Sequence, residues 1–153
     1  MLRAIQDFFR LKIEPDMEAG PDQHGLQLAT AALLFEMLRA DDDEHPDERH
    51  ALEQALQKCF ALSESETRQL SQLADREAAE SVSLHQFTGL INRHFSPDEK
   101  IRVVEMLWQV AYADGSLDRY EEALVRKIAE LIYVPHREFM QAKHRVLEAL
   151  QSQ

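Results

Sequence analysis

One cysteine, four glycines and five prolines in 153 residues are the first constraint this sequence sets. A single thiol, Cys59, closes no disulfide within the chain and completes no cysteine-based zinc site. It falls in the apolar stretch Leu56-Gln57-Lys58-Cys59-Phe60, where a free cysteine acts as a small packing hydrophobe. The glycines and prolines fall mainly between periodic stretches, and β-alternating runs are missing, so the pattern predicts helices joined by short connections and no sheet. No apolar run approaches the ~20 residues that span a bilayer. The first residues lack the apolar core and small-residue cleavage site of a signal peptide, so the expected location is the cytoplasm. Basic residues are scarce too: Lys and Arg total 17 against 28 Asp and Glu, a formal net charge of −11. A phosphate-backbone binder needs a basic face that releases counterions, which excludes nucleic acid as a partner. Cations, a basic protein face or plain solubility account for the acid excess.

What is present fits a folded chain. Hydrophobic residues make up 44% and charged residues 29%, ordinary values for a globular protein. The length suits one domain. Met1 to Lys12 reads as a short amphipathic leader helix with Leu2, Ile5, Phe8 and Phe9 on one side, followed by an acidic linker punctuated by Pro15, Gly20, Pro21 and Gly25. The next helix runs to about Ala40 with Leu26, Ala29, Leu33, Leu34, Met37 and Leu38 at helical spacing. Another starts near Pro46, a residue suited to a first helical turn.

Three later starts carry capping boxes, Ser63 to Glu66, Ser83 to Gln86 and Ser96 to Glu99, and a fourth of related type runs from Asp118 to Glu121. The helix after Ser96 is apolar almost all round, which predicts a place at the centre of a bundle. The last helix follows Pro135 and carries Phe139, Met140, Val146, Leu147 and Leu150. The expected fold is all-α, a single-domain bundle of seven to eight helices. Its organisation is a leader and linker over 1–24 and the bundle over 25–153.

Self-comparison aligns Ala31 to Leu62 with Val104 to Pro135 without gaps, 73 residues apart (41 against 114). Matched pairs include Leu34/Leu107, Phe35/Trp108, Leu52/Val125, Ala55/Ile128 and Phe60/Tyr133, and Cys59 falls opposite Ile132. Each copy is a helix, an acidic loop and a second helix, so two hairpins form pseudo-repeated halves over about 27–77 and 100–150. Asp41 matches Asp114 and Glu48 matches Glu121, while Asp42 replaces Gly115 and His45 replaces Asp118.

Asp-Gly-x-Leu-x-x-x-Glu from Asp114 overlaps the second half of an EF-hand loop, but Val110 and Tyr112 occupy the positions where calcium needs further oxygens, so a conventional EF-hand is excluded. A smaller or shared site remains. Asp114, Asp118, Glu121 and Glu122 lie close along the loop and first helical turn, Asp41, Asp43 and Glu48 add ligands if the loops meet, and such hard carboxylates suit Ca²⁺ or another divalent cation. The competing reading is helix capping: Asp118 as N-cap, Glu121 as its partner, and acids favoured by the helix dipole. The seven histidines show no zinc spacing, with His45 beside Asp41 and Glu48 the one that offers itself as a ligand. No phosphate loop or nucleophile elbow occurs. The expectation is a protein that is not an enzyme.

These residues resemble a known family. Ala113-Asp114-Gly115 with Glu121, on a helical hairpin and repeated in weaker form upstream, resembles the tellurite-resistance TerB-like domain. The stretch Val104 to Gly115 is the most specific part, and the likeness extends from the Phe8-Phe9 leader to Val134-Pro135-His136. The resemblance implies an all-α bundle of two similar halves in bacterial cytoplasm, linked to tellurite and stress resistance, with an acidic surface proposed to hold divalent cations. Carried over by position, the candidates are Asp114 and Glu121, then Asp41 and Glu48. The first copy departs from the pattern at Asp42 and His45.

The functional expectation is a non-enzymatic interaction or sensor module with protein partners and a divalent cation at its acidic loops. Two alternatives stand beside it. One is a metal-free structural adaptor that binds a basic protein face. The other is a membrane-surface accessory factor using the leader, where Arg3, Arg10 and Lys12 outnumber Asp7; docking of that leader on its own bundle is the simpler use.

Overall fold

Capping chemistry sets where the helices begin. Asp22 opens the first one: its carboxylate accepts the Gly25 N–H at 2.7 Å and its carbonyl accepts the Leu26 N–H at 2.9 Å, the bonds of an N-cap residue. Gly25 is therefore buried inside the first turn and is not linker punctuation, as the glycine-proline cluster before it suggested. The structure, a computed structural model, describes residues 10–11, 22–40, 46–79, 84–112 and 119–151. Among the described residues there are seven helices and no strand: α1 (Gln23–Ala40), α2 (Pro46–Phe60), α3 (Glu64–Ala79), α4 (Leu84–His94), α5 (Pro97–Ala111), α6 (Arg119–Leu131) and α7 (His136–Gln151). Of the leader helix only Arg10 and Leu11 are described, and both are exposed.

Two of the expected capping boxes are formed in full. Ser63 Oγ accepts the Glu66 N–H and Glu66 Oε1 accepts the Ser63 N–H, each at 3.0 Å. At the head of α5 the Ser96 pair repeats this at 3.2 and 2.8 Å, with Pro97 in the first turn. The boxes at Ser83 and Asp118 lie outside the described residues.

α5 sits at the centre as its apolar girth predicts, with Val103, Val104, Leu107 and Trp108 fully buried; it packs against α7, α1, α6 and α3's neighbour α2. It shares that place with α1, which packs against α3, α5, α2 and α4 and buries Leu26, Ala29, Ala31, Leu33 and Phe35 completely. Small residues from Ala29 to Ala32 let α1 be approached from several sides. The hydroxyl of buried Thr30, within that stretch, donates back to the Leu26 carbonyl at 2.9 Å and lies 3.6 Å from Met106 Sδ, so no polar group is orphaned there. Trp108 packs on Phe139 with ring centroids 5.0 Å apart, and its Nε1–H donates to the Phe139 carbonyl at 3.3 Å. That contact ties α7 to α5.

The end of α6 departs from the constant repeat offset. Tyr133 has φ 60°, its N–H donates to the Glu130 carbonyl at 3.1 Å, and the Val134 N–H donates to the Ala129 carbonyl at 2.9 Å. This is a Schellman stop with Tyr133 in the left-handed position. The residue with positive φ after α2 is Ala61, 72 positions before Tyr133, whereas α2 and α6 begin 73 apart at Pro46 and Arg119. The pairing Phe60/Tyr133 thus fails: Phe60 is buried, while Tyr133 is 76% exposed. In the burial pattern Phe60 corresponds to Ile132 and Leu62 to Val134, so Cys59 loses Ile132 as its counterpart.

Candidate functional site

The acidic loops connect the members of two helix pairs. Residues 41–45 join α1 to α2, and residues 113–118 lie between α5 and α6. Each loop thus leaves the carboxyl end of a central helix and enters the amino end of an outer one. Helix ends of the first kind carry carbonyls without intrahelical donors, and those of the second kind favour acidic side chains. Carbonyl and carboxylate oxygens are the donor set a hard cation takes.

Both loops are attached to fixed points. Tyr112, the last residue before 113–118, donates its N–H to the Trp108 carbonyl at 3.0 Å and stacks its ring on Trp108 at 6.0 Å between centroids. On the other pair, Arg49 stands one residue beyond Glu48 and its Nη1 donates to buried Ser71 Oγ on α3 at 3.1 Å. The same face of α2 sends Gln57 Nε2 to Thr67 Oγ1 at 3.3 Å, which holds α2 antiparallel to α3.

The seven candidate ligands are placed as follows. Asp41, Asp43, Asp114 and Asp118 lie outside the described residues. Glu48 and Glu121 each occupy the third position of their helix, α2 and α6, so their backbones stand in corresponding places; their side chains are outside the described part. Glu122 is described, and its Oε1 lies 3.5 Å from Arg126 Nη2 in an i,i+4 pair of two partly exposed side chains. Such pairs contribute about 0.3–0.5 kcal/mol, so Arg126 holds Glu122 only weakly. Among the described residues no group of three or more His, Cys, Asp or Glu side chains is arranged to hold a metal ion. His45 is also outside them.

Polar contacts that sequence reading did not foresee lie between helices. His24 Nε2 and Glu66 Oε2 are 2.7 Å apart, linking the heads of α1 and α3. Glu66 was visible as a capping residue, but a partner 42 positions away leaves no local pattern. Its carboxyl is held below the usual glutamate range, first by the Ser63 backbone N–H and then by His24, against the opposing effect of burial. Asn92 Nδ2 donates to the Leu131 carbonyl at 3.0 Å, so α4 caps the end of α6. Cys59 Sγ donates to the Gln109 carbonyl at 3.7 Å, and burial pushes its thiol up, with Lys58 acting the other way. Burial and this contact make the thiol a packing group with little thiolate character.

No helix among the described residues is long and apolar enough to cross a membrane. Compared with known families, the chain matches the model described as tellurite resistance protein TerB over residues 27–144. That span takes in both acidic loops and both helix pairs apart from the first turn of α1, and leaves out the leader and the last two turns of α7. Neither the curated proteins nor the solved structures give a match.

Proposed function

This chain belongs to the tellurite resistance protein TerB family, and on that premise we propose that it is a non-enzymatic interaction and sensor module of a bacterial tellurite or stress response, whose acidic loops take up a divalent cation. The observation that carries this reading is the family match spanning both helix pairs. Supporting it, the loops rich in aspartate and glutamate recur where a central helix hands over to an outer one, on a chain of net charge −11. In this reading Asp114, Asp118, Glu121 and Glu122 bind from the second pair and Asp41, Asp43 and Glu48 from the first, and cation occupancy alters the surface offered to a protein partner.

Calorimetric titration of the full chain with Ca²⁺, Mg²⁺ and Mn²⁺, alongside an Asp114→Asn variant, tests it. Binding heat and a raised Tm in the wild type, both reduced in the variant, are expected. If no cation gives heat or a thermal shift, the cation part is wrong and a metal-free adaptor that binds a basic protein face takes its place.

A further inference from the structure

Of the five lysines, Lys58, Lys100, Lys127 and Lys143 fall among the described residues, and three of these have surroundings that suit an ammonium. Lys58 is in the last turn of α2, where carbonyls without intrahelical donors favour a cation. Lys143 Nζ lies over the Trp108 ring, 5.3 Å from its centroid. Lys127 is exposed on α6, with Glu130 three positions further on. Lys100 differs from all three.

It is the fourth residue of α5, and its N–H closes the first turn on the Ser96 carbonyl at 3.0 Å. Backbone N–H groups without intrahelical acceptors make this end of a helix unfavourable to positive charge. Helical spacing gives Lys100 the neighbours Ser96, Pro97, Val103 and Val104, none of them acidic. Val103, Val104 and Leu107 continue the same side of α5 into the core and are fully buried, and Lys100 at the head of that stripe is half-buried. The two acids next to it in sequence do not serve it. Glu99 is tied to the Ser96 N–H at 2.8 Å, and Asp98, two positions back, lies roughly 200° round the helix. Among the described residues no carboxylate pairs with the Lys100 ammonium. Burial lowers its pKa from the usual lysine range, which raises the share of neutral amine. A lysine partly desolvated and left without a counter-charge has the surroundings of a nucleophile rather than of a structural cation.

We propose that the Lys100 amine is a modification site that takes an acyl group from an activated acyl donor, an acyl phosphate or an acyl thioester. The neutral nitrogen attacks the acyl carbonyl carbon. A C–N bond forms, the C–O bond to phosphate or the C–S bond to the thiol breaks, and the surplus proton on nitrogen passes to solvent. The product amide is uncharged, so the modification removes a positive charge from a helix end that disfavours it. Incubation of the full chain at pH 8 with acetyl phosphate, and separately with acetyl-coenzyme A, tests this, each lysine being followed by peptide mass spectrometry. With at least one donor, Lys100 of the folded protein is expected to acetylate at least about threefold faster than exposed Lys127. That preference is expected to vanish in the urea-unfolded chain, and the arm that shows it identifies the donor class. Lys100→Arg, which keeps the charge and cannot be acylated in this way, should abolish the fast phase and leave the other lysines unchanged. Three results overturn the proposal: a smaller margin over Lys127 with both donors, a preference that persists in urea and so belongs to the local sequence, and a fast phase that survives Lys100→Arg.

Discussion

His24 and Glu66 join the heads of two parallel helices through a carboxylate that is already in use. One oxygen of Glu66 closes the capping box with the Ser63 N–H at 3.0 Å, and the other meets His24 Nε2 at 2.7 Å. The cap thereby becomes a tertiary contact, because loosening the head of α3 also releases the head of α1. Gln57 and Arg49 hold the same three-helix unit from α2 through Thr67 and Ser71.

Glu66→Ala should cost about 1 kcal/mol at neutral pH, the usual worth of a helix cap, and somewhat more if His24 adds to it. The Glu66 carboxyl is lowered in the folded state, so its contribution is full above the ordinary glutamate range and is lost as the pH falls through the lowered folded value. Urea denaturation of wild type and variant across pH 3 to 7 should show the two curves converging on the acid side. A gap that stays constant down to pH 3 would remove Glu66 from the acid sensitivity of the fold.

Trp108 is the single tryptophan and is fully buried. Its emission should be blue-shifted in the folded protein and move red in a single transition as α5 and α7 separate. Trp108→Ala should cost ~3–5 kcal/mol, and Trp108→Phe clearly less, since it keeps an aromatic ring against Phe139 while losing the bond to the Phe139 carbonyl. Circular dichroism in urea measures both. Equal costs for the two variants would mean that the hydrogen bond, and not the packing, dominates.

Local features of this fold are legible in the sequence because their causes are local. Ser63 with Glu66 and Ser96 with Glu99 announce two helix heads, since both partners of each capping box lie within one turn. The apolar girth of α5 announces its central place. Gly25 misleads because the preceding Gly20-Pro21 suggests a linker, whereas Asp22 three positions earlier recruits it into a helix. Tyr133 misleads because a gapless alignment cannot register the left-handed stop that ends α6. In the site, the acids and their recurrence 73 positions apart can be read directly. Where the helix ends that flank them stand is decided by how α1 and α5 pack, and that depends on core residues such as Thr30, Phe35, Met106 and Trp108 rather than on the loops' own composition.

Cys59 should react slowly. Its thiol is pushed up by burial and donates to the Gln109 carbonyl, so little thiolate forms at mildly alkaline pH, and the thiolate is the reacting form. With an aromatic disulfide reagent at pH 8, the folded protein is expected to react at least about tenfold more slowly than the urea-unfolded chain. The sign for stability follows: the folded state holds this proton more tightly, so the benefit is present below the ordinary thiol range and is lost as the pH rises through the raised folded value. Equal rates in folded and unfolded protein would place the sulfur in free contact with solvent.

Tyr133 offers the clearest stabilising change. Its φ of 60° lies in the region where a Cβ crowds the following carbonyl, at a cost of roughly 1–2 kcal/mol for an ordinary residue. Because the side chain is 76% exposed, removing it forfeits little packing. Glycine at this position removes the crowding but gives the unfolded chain more freedom, which takes back about 0.4–1 kcal/mol. Tyr133→Gly should therefore stabilise by about 0.5–1 kcal/mol, read as a higher urea midpoint with an unchanged slope. Asn, which tolerates the left-handed region without glycine's entropy, should do about as well. Ala61, at φ 54° after α2, should respond to glycine in the same direction. A loss of stability in Tyr133→Gly but not in Ala61→Gly would mean that the tyrosine ring makes a contact worth more than the strain it bears.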